Sequence, residues 1–209
     1  MRLAIMQPYV FPYIGYFQLL AAADKFIFYD DVAFIKQGWI NRNNVLVNGK
    51  PHLFSIPVSN ISSFVTIRET AVSYRPDWTV KFLKMLEMSY RKSPYFSEVF
   101  ERISALISER PSTIAELSKK SVELVASYLR IQTHIIDSSA IYGNEHQRAE
   151  ERIIDICKKE RAAEYINPIG GMKLYDPDYF LKVGLSLKFV RTLPIAYDQR
   201  SSTFHPNLS

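Results

Sequence analysis

The sequence predicts an α/β protein with a doubly wound, mostly parallel sheet. Short apolar runs typical of buried strands alternate with segments of helical periodicity, and polar or glycine-containing motifs follow the runs. Strands separated by helices imply right-handed crossovers and parallel neighbours. Two strands precede a long helical stretch and three follow it, which gives the two halves of such a sheet. We therefore expect one α/β domain over residues 1–209, with residues 76–130 as a helical insertion within it.

The N-terminal part predicts a strand, a helix, a second strand and a hairpin. Strands are expected at residues 3–6 and 25–29, and apolar residues at helical spacing predict a helix at residues 13–23. Asn48-Gly49 predicts a two-residue hairpin turn, because such a turn needs positive φ angles that these residue types accept. The returning strand is expected at residues 53–58.

The rest of the chain predicts three helices and then a return to alternating strands and helices. Residues 76–130 contain no glycine, and prolines predict helix starts near residues 76, 94 and 111. Thr113 and Glu116 have the spacing of a capping box for the third helix. Beyond residue 133 we expect strands at residues 134–136, 164–166 and 186–190 and helices at residues 147–162 and 176–183.

The segment after the first strand, residues 7–18, combines two prolines with several aromatic residues. Prolines restrict a loop before any ligand arrives, and tyrosines offer a flat apolar face with a polar tip. The segment precedes a helix, whose N-terminus presents free backbone N–H groups to an anion. Two interpretations stay open: the segment forms the wall of a binding site, or it is a packed turn whose aromatic side chains belong to the core.

Polar motifs also follow the other expected strands. Asp30-Asp31 comes after the second strand, Asp137 after the third, and Asn167 with the pair Gly170-Gly171 after the fourth. Because the carboxyl ends of parallel strands share one edge, we expect a ligand crevice there. Asp30 is a candidate base, although adjacent carboxylates at a strand end point to opposite sides, and at least one is expected to be structural. The glycine pair favours a phosphate or carboxylate cradle over a plain turn.

Residues 38–43, Gly-Trp-Ile-Asn-Arg-Asn, lie between the second strand and the hairpin. The guanidinium of Arg42 suits two-point recognition of phosphate or carboxylate, and Trp39 can stack on a sugar or a base. The alternative is that the asparagines satisfy loop backbone groups and Arg42 pairs with Asp30 or Asp31. We favour the binding interpretation, because the loop lies beside the expected crevice.

His146 is the candidate for catalytic chemistry in the second half of the chain. It stands in the run Gly143–Arg148 at the start of an expected helix, where the helix dipole favours a neutral imidazole that can act as a base. The single cysteine, Cys157, falls on the apolar side of that helix and is expected to be a small core residue. One cysteine excludes a disulfide framework and a cysteine-based metal site, and we assign no metal ligand.

The composition favours a small anionic ligand. The formal net charge is +5 and the pI is about 9.2, but the longest basic cluster is interleaved with glutamates, as on a solvated helix face. Nucleic-acid binding is therefore the least supported class of function. No stretch approaches the ~20 apolar residues of a membrane span, and no leader precedes the first strand. We expect a reduced, cytoplasmic setting.

Several motifs resemble those of the WbqC-like family over essentially the whole chain. They are Met6–Tyr9, Phe11–Phe17, Tyr29–Val32, Gly38–Asn43, Val47–Pro51, Gly143–Arg148, Tyr165–Gly171 and Phe204–Ser209. The resemblance implies a bacterial protein associated with the biosynthesis of surface polysaccharides of the O-antigen type. It also implies that related chains continue past the closing Pro-Asn-Leu-Ser.

Tyr13-Ile14-Gly15-Tyr16 is similar in spacing to the HxGH motif of nucleotidyltransferases, with tyrosines in both histidine places. That likeness implies a Rossmann-like, nucleotidyltransferase-like scaffold, with ATP and Mg as the cofactor to consider. An enzyme of this kind would activate a carboxylate with ATP and transfer an acyl or aminoacyl group to an amino sugar. A neutral tyrosine adds no positive charge, so the alternative is a non-catalytic protein that binds a nucleotide sugar or a protein partner on a degenerate scaffold.

The sequence thus predicts a site for a small anionic ligand such as a nucleotide or nucleotide sugar. The candidate catalytic residues are His146 and Asp30. The candidate binding residues are Gln7, Tyr9, Tyr13, Gly15, Tyr16, Lys36, Trp39, Asn41, Arg42, Asn43, Asn144, Asn167, Gly170 and Gly171.

Overall fold

The computed structural model describes residues 1–59, 61–62 and 64–209 of the chain. Seven strands and six α-helices follow one another in it. The strands are β1 (Arg2–Met6), β2 (Lys25–Phe28), β3 (Arg42–Val47), β4 (Lys50–Ser55), β5 (His134–Ile136), β6 (Glu164–Pro168) and β7 (Ser186–Val190). The helices are α1 (Ile14–Ala22), α2 (Pro76–Tyr90), α3 (Phe96–Ser108), α4 (Ile114–Tyr128), α5 (Ala149–Lys159) and α6 (Pro177–Lys182).

Five strands form a parallel sheet in the order β5-β2-β1-β6-β7. Counted along the chain within this sheet alone, the order is 3-2-1-4-5, the order of a doubly wound sheet. The predicted parallel α/β sheet, with two strands before the helical stretch and three after it, is confirmed. The winding direction reverses between β1 and β6, so the edge formed by the carboxyl ends of the strands is where a ligand crevice is expected.

Helices cover both faces of the sheet because successive strand residues point to opposite sides. On one face, Phe26 and Phe28 of β2 pack with residues of α1 and with Val122 of α4. On the other face, Ile27 packs with residues of α5 and with Phe180 of α6. The sheet edge that carries the polar motifs is therefore flanked by helices from both layers.

The hairpin and helices α2, α3 and α4 form a further apolar cluster beside the sheet. β3 and β4 pair antiparallel around Asn48 and Gly49, whose φ angles of 50° and 73° confirm the predicted two-residue turn. Phe54 of β4 packs there with Phe82 of α2 and Leu106 of α3. Residues 76–130 contribute helices and no strand, as predicted.

Several element boundaries differ from the predicted ones. β4 begins at Lys50 and ends at Ser55, because the two-residue turn pairs Lys50 directly with Val47. α5 begins at Ala149, two residues later than predicted. The Thr113 hydroxyl caps α4 by accepting from the Glu116 amide at 3.2 Å, but the Glu116 carboxylate accepts from the Ser112 amide rather than closing the predicted box.

None of the helices in the described residues combines the length and the apolar composition that are needed to cross a bilayer. This matches the expectation from the sequence that the chain contains no membrane span.

Candidate functional site

A charged cavity of about 630 Å³ lies at the carboxyl ends of β2 and β5, against α4. Ionisable side chains of both signs line it, and of these only Asp30 and Lys119 are buried. Four carboxylates and three cations contribute to this charged cavity, namely Asp30, Glu116, Glu123, Asp137, Arg68, Lys119 and Lys120.

A buried ion pair forms the floor of the charged cavity. The Nζ atom of Lys119 lies 2.7 Å from Oδ2 of Asp30 and 3.2 Å from Oδ2 of Asp137. Ser138 donates a hydrogen bond of 2.6 Å to the other oxygen of Asp30. The Asp30 side chain is 2% exposed and that of Lys119 is 10% exposed. Water therefore does little to screen the pair, and the two charges depend on each other.

The second carboxylate of the pair Asp30-Asp31 turns the other way, as the sequence predicted. Asp31 accepts from Ser139 and from the guanidinium of Arg152 on α5, and both ionic side chains are almost fully buried. Asn144 accepts a hydrogen bond of 3.1 Å from Arg152 Nε. This network joins the carboxyl ends of β2 and β5 to α5, so its contribution is to the fold of the edge. Asn144 is accordingly a buried member of a structural network.

The rim of the charged cavity carries the groups that face solvent. Arg68 is exposed, and its guanidinium forms no ion pair with a carboxylate of the described residues. Lys120 shares its charge with Glu109 at 2.7 Å. Partial burial of Glu123 raises its carboxyl pKa, and the Asp137 carboxylate raises it further. The rim thus offers an available cation and a carboxyl group that holds its proton more tightly than an ordinary glutamate.

The turn around Gly15 does not fit a nucleotide phosphate. A Cβ on Gly15 would lie 2.4 Å from the ring of Tyr13, so that ring already occupies the space above the glycine. Tyr16 is buried and donates its hydroxyl hydrogen to the Gln7 carbonyl at 3.0 Å. Its ring also packs against Tyr9, with the centroids 5.9 Å apart. The two tyrosines in the histidine places therefore pack the turn, and we derive no step through ATP here.

The polar side chains of the loop before the hairpin donate to backbone carbonyls. Asn41 donates to the Ile56 carbonyl at 2.8 Å and Asn43 to the Phe11 carbonyl at 2.7 Å. Arg42 donates to the Gly38 and Gln37 carbonyls rather than to Asp30 or Asp31. For the asparagines this agrees with the alternative that they satisfy backbone groups rather than bind a ligand.

The other predicted site residues do not line the charged cavity. Trp39, Lys36, His146 and Gly170 are exposed or half-exposed, and His146 stands in a turn three residues before α5 begins. Asn167 donates to the Tyr165 hydroxyl at 2.7 Å. A Cβ on Gly171 would lie 2.5 Å from the Asn167 side chain, so close packing explains that glycine.

Sequence reasoning missed the residues of α4 and the Arg68 segment that complete the charged cavity. Lys119, Lys120 and Glu123 resemble the ordinary charged face of an amphipathic helix. The signal that would identify Lys119 is its position one residue after Ser118 and two before Ser121, both of which are buried. A lysine on a buried stripe needs a buried partner, and Asp30 was the available carboxylate.

Cys157 is predicted to be chemically inert in the folded protein. The thiol is buried in the core below the sheet, and burial raises its pKa to about 12. Only the thiolate attacks a disulfide reagent. We expect no reaction with Ellman's reagent at pH 8 in the native protein and one thiol per chain after unfolding in guanidinium. Rapid labelling of the native protein would contradict this prediction, because it would show that α5 opens or that the thiol is accessible.

The fold and the cavity define an α/β protein with a charged cavity at the carboxyl edge of a parallel sheet. A family model described as the WbqC-like protein family matches residues 7–209, so the chain belongs to that family. It is also 29% identical over 171 residues to the uncharacterized protein Rv1507c of Mycobacterium tuberculosis. The aligned region covers 79% of this chain and 71% of that protein. No solved structure matches the chain.

Proposed function

We propose that this protein is an enzyme of bacterial surface-polysaccharide biosynthesis that transfers an acyl or aminoacyl group to an amino sugar bound in the charged cavity. The observation that carries the proposal is the buried Asp30–Lys119 pair, which opens into a cavity of about 630 Å³ with Arg68 and Glu123 at its rim. A carboxyl group with a raised pKa, such as that of Glu123, in a cavity at this edge of an α/β sheet is typical of functional sites. Family membership supports the biological setting.

The two signs of charge in the cavity suit a ligand that carries both signs itself. A nucleoside-diphosphate amino sugar has phosphates that Arg68 and Lys120 can bind and an amine that Asp137 can bind. A purely anionic nucleotide would meet four carboxylates in the same cavity. The substrate class is therefore an amino sugar with an anionic group.

Glu123 is the residue that we assign as the base. The amine nitrogen forms a bond to the acyl carbon of an activated donor, the bond from that carbon to the leaving group breaks, and Glu123 takes the proton that the nitrogen loses. Its raised pKa makes the carboxylate a better base than an ordinary glutamate. Asp30 is a positioning residue in this proposal, because it holds Lys119 and Ser138 at the cavity floor.

A specific observation favours a second candidate, a binding protein without catalysis. The tyrosines at the Gly15 turn are packed and hydrogen-bonded, so the part of the scaffold that resembles a nucleotidyltransferase does not fit a triphosphate. Such a protein would bind a nucleotide sugar in the charged cavity and leave it unchanged. His146 stays a prediction in either case, since it lies outside the cavity.

Calorimetry with UDP-glucosamine tests the binding part of the proposal. We expect binding by the wild-type protein and a 10- to 100-fold loss for Arg68→Gln, because a hydrogen bond to a charged group contributes about 1.5–3 kcal/mol. Arg91→Gln is the matched control, an exposed arginine at the end of α2 that lines neither large cavity. Equal affinities for wild type and Arg68→Gln would remove Arg68 from the site.

Mass spectrometry then separates the enzyme from the binding protein. UDP-glucosamine is incubated with the protein and either acetyl-coenzyme A or ATP with an amino acid, and the N-acylated product is sought. Glu123→Gln should lower the rate while leaving the affinity within a factor of about two to three, since a base acts mainly in the transition state. Tight binding with no product from either donor set would favour the non-catalytic candidate.

A further inference from the structure

A second cavity, of about 750 Å³, is lined in part by residues 7–18, which we call the aromatic segment. It is bounded by α3, the C-terminal half of α4 and residues 192–209, which we call the closing segment. Phe11, Pro12 and Phe17 of the aromatic segment contribute to its wall. The sequence left open whether that segment forms the wall of a binding site, and here it lines one. We call this space the apolar cavity.

The apolar cavity contains no charged side chain from Asp, Glu, Lys or Arg among the described residues that line it. Several of its polar groups already have partners within the protein. The Tyr90 hydroxyl accepts from the Leu46 amide at 2.7 Å, and His205 Nε2 lies 3.1 Å from the Gly49 carbonyl. A ligand would therefore gain affinity through apolar contact rather than through hydrogen bonds.

The closing segment is fastened on both sides of the apolar cavity. At its beginning, the Leu193 amide donates to the side chain of Gln18 on α1 at 2.8 Å. At its end, the Ser209 amide donates to the Asn44 carbonyl at 2.8 Å. Between these points Ser201 Oγ donates to the Gly49 carbonyl at 3.2 Å, so the segment is also held at the hairpin turn. The segment joins no sheet, and both of its ends line the apolar cavity.

Large apolar side chains around the apolar cavity remain accessible. Tyr95 is 70% exposed, Leu193 is 69% exposed and Ile195 is 45% exposed. Contiguous exposed apolar surface of this kind marks a binding site more often than a packing accident. The lining follows α3 through Phe96, Val99 and Ile103, a distance of about 10 Å along the helix. The lining therefore extends along two turns of α3.

We propose that the apolar cavity binds a ligand with an uncharged, extended alkyl chain, of the fatty-acyl or fatty-alcohol class, beneath the closing segment. The absence of Asp, Glu, Lys and Arg side chains from the lining, its extent along α3 and a volume typical of ligand sites argue for this class. The proposal is independent of the function assigned to the charged cavity, although α4 lines both spaces.

A chain-length series tests the chemistry of the ligand. Calorimetric titration with 1-octanol, 1-decanol and 1-dodecanol should show affinity rising about fourfold with each added methylene. Equal affinities along the series, or no binding of 1-dodecanol up to its solubility limit, would overturn the proposal.

Two valine variants locate the site. Val99→Glu puts a charge on the wall of the apolar cavity at a residue that is 37% exposed, and we expect at least a tenfold loss of 1-dodecanol affinity. Val80→Glu is the matched control on α2, 65% exposed and outside both cavities, and it should bind as wild type does. Wild-type affinity in Val99→Glu would place the alcohol elsewhere.

Two further measurements distinguish this proposal from the function assigned to the charged cavity and from a dimer interface. Arg68→Gln should retain full 1-dodecanol affinity, so failure at one cavity does not imply failure at the other. Sedimentation velocity tests whether the apolar surface is a dimer interface. We expect no dimer of the wild-type protein that is lost in the Val99→Glu variant. A dimer that is lost in this variant, together with no alcohol binding, would make the apolar surface an interface between copies and contradict the proposal.

Discussion

Replacing Arg152 by methionine is expected to destabilise the folded protein by about 3–5 kcal/mol. The guanidinium pairs with Asp31 in a site where both side chains are less than 5% exposed, and its removal leaves the carboxylate buried without a counter-charge. The same side chain also donates to Asn144 and lies 4.8 Å from the centre of the Tyr29 ring. Urea denaturation measures the loss as a lower free energy of unfolding.

Arg148→Met is the matched control for that prediction. Arg148 is exposed at the start of α5 and forms no capping hydrogen bond through its side chain, so the change should cost less than about 0.5 kcal/mol. Adding Asp31→Asn to Arg152→Met removes the uncompensated charge and should recover part of the loss. Equal stabilities for Arg152→Met and wild type would show that Asp31 reaches solvent.

The second large effect is expected at Lys119. Lys119→Met leaves Asp30 buried with only Ser138 as a hydrogen-bond donor among the side chains of the described residues, so the free energy of unfolding should fall by about 3–5 kcal/mol. Many domains are stable by only 5–15 kcal/mol, so a measurable unfolded fraction is expected on mild heating. Circular dichroism during a thermal scan follows the loss.

The neighbouring lysine on α4 supplies the control. Lys120→Met breaks two pairs that are about half exposed, with Glu109 and Glu116, and exposed pairs contribute about 0–1 kcal/mol. The double variant Lys119→Met with Asp30→Asn should regain most of the stability, because both charges are then absent. A similar small loss at both lysines would mean that the floor of the charged cavity is open to water.

The sheet was predictable because its signals are local. Each strand has an apolar run with a turn or a polar motif after it, and the spacing between runs requires helical crossovers. The hairpin was predictable from Asn48-Gly49 alone. Boundaries were less predictable, since the end of β4 depends on pairing across the turn and the start of α5 depends on how residues 143–148 pack.

The candidate site was only partly predictable. Asp30 lies on the edge that the strand order predicts. The divergence of Asp30 and Asp31 was predicted from strand geometry, but β2 ends at Phe28, so their different partners set it. Lys119 is 89 residues from Asp30 in the sequence and meets it only because α4 packs on the sheet. The roles of Asn41 and Asn43 depend on which carbonyls lie within reach, which no local pattern encodes.

A crystal structure with UDP-glucosamine is the most direct test of the proposed site. We predict density for the ligand in the charged cavity, with the diphosphate against Arg68 and the amine beside Glu123. Density at the Gly15 turn or at Gly170, with an empty charged cavity, would contradict the proposal and return the site to the crevice between β1 and β6.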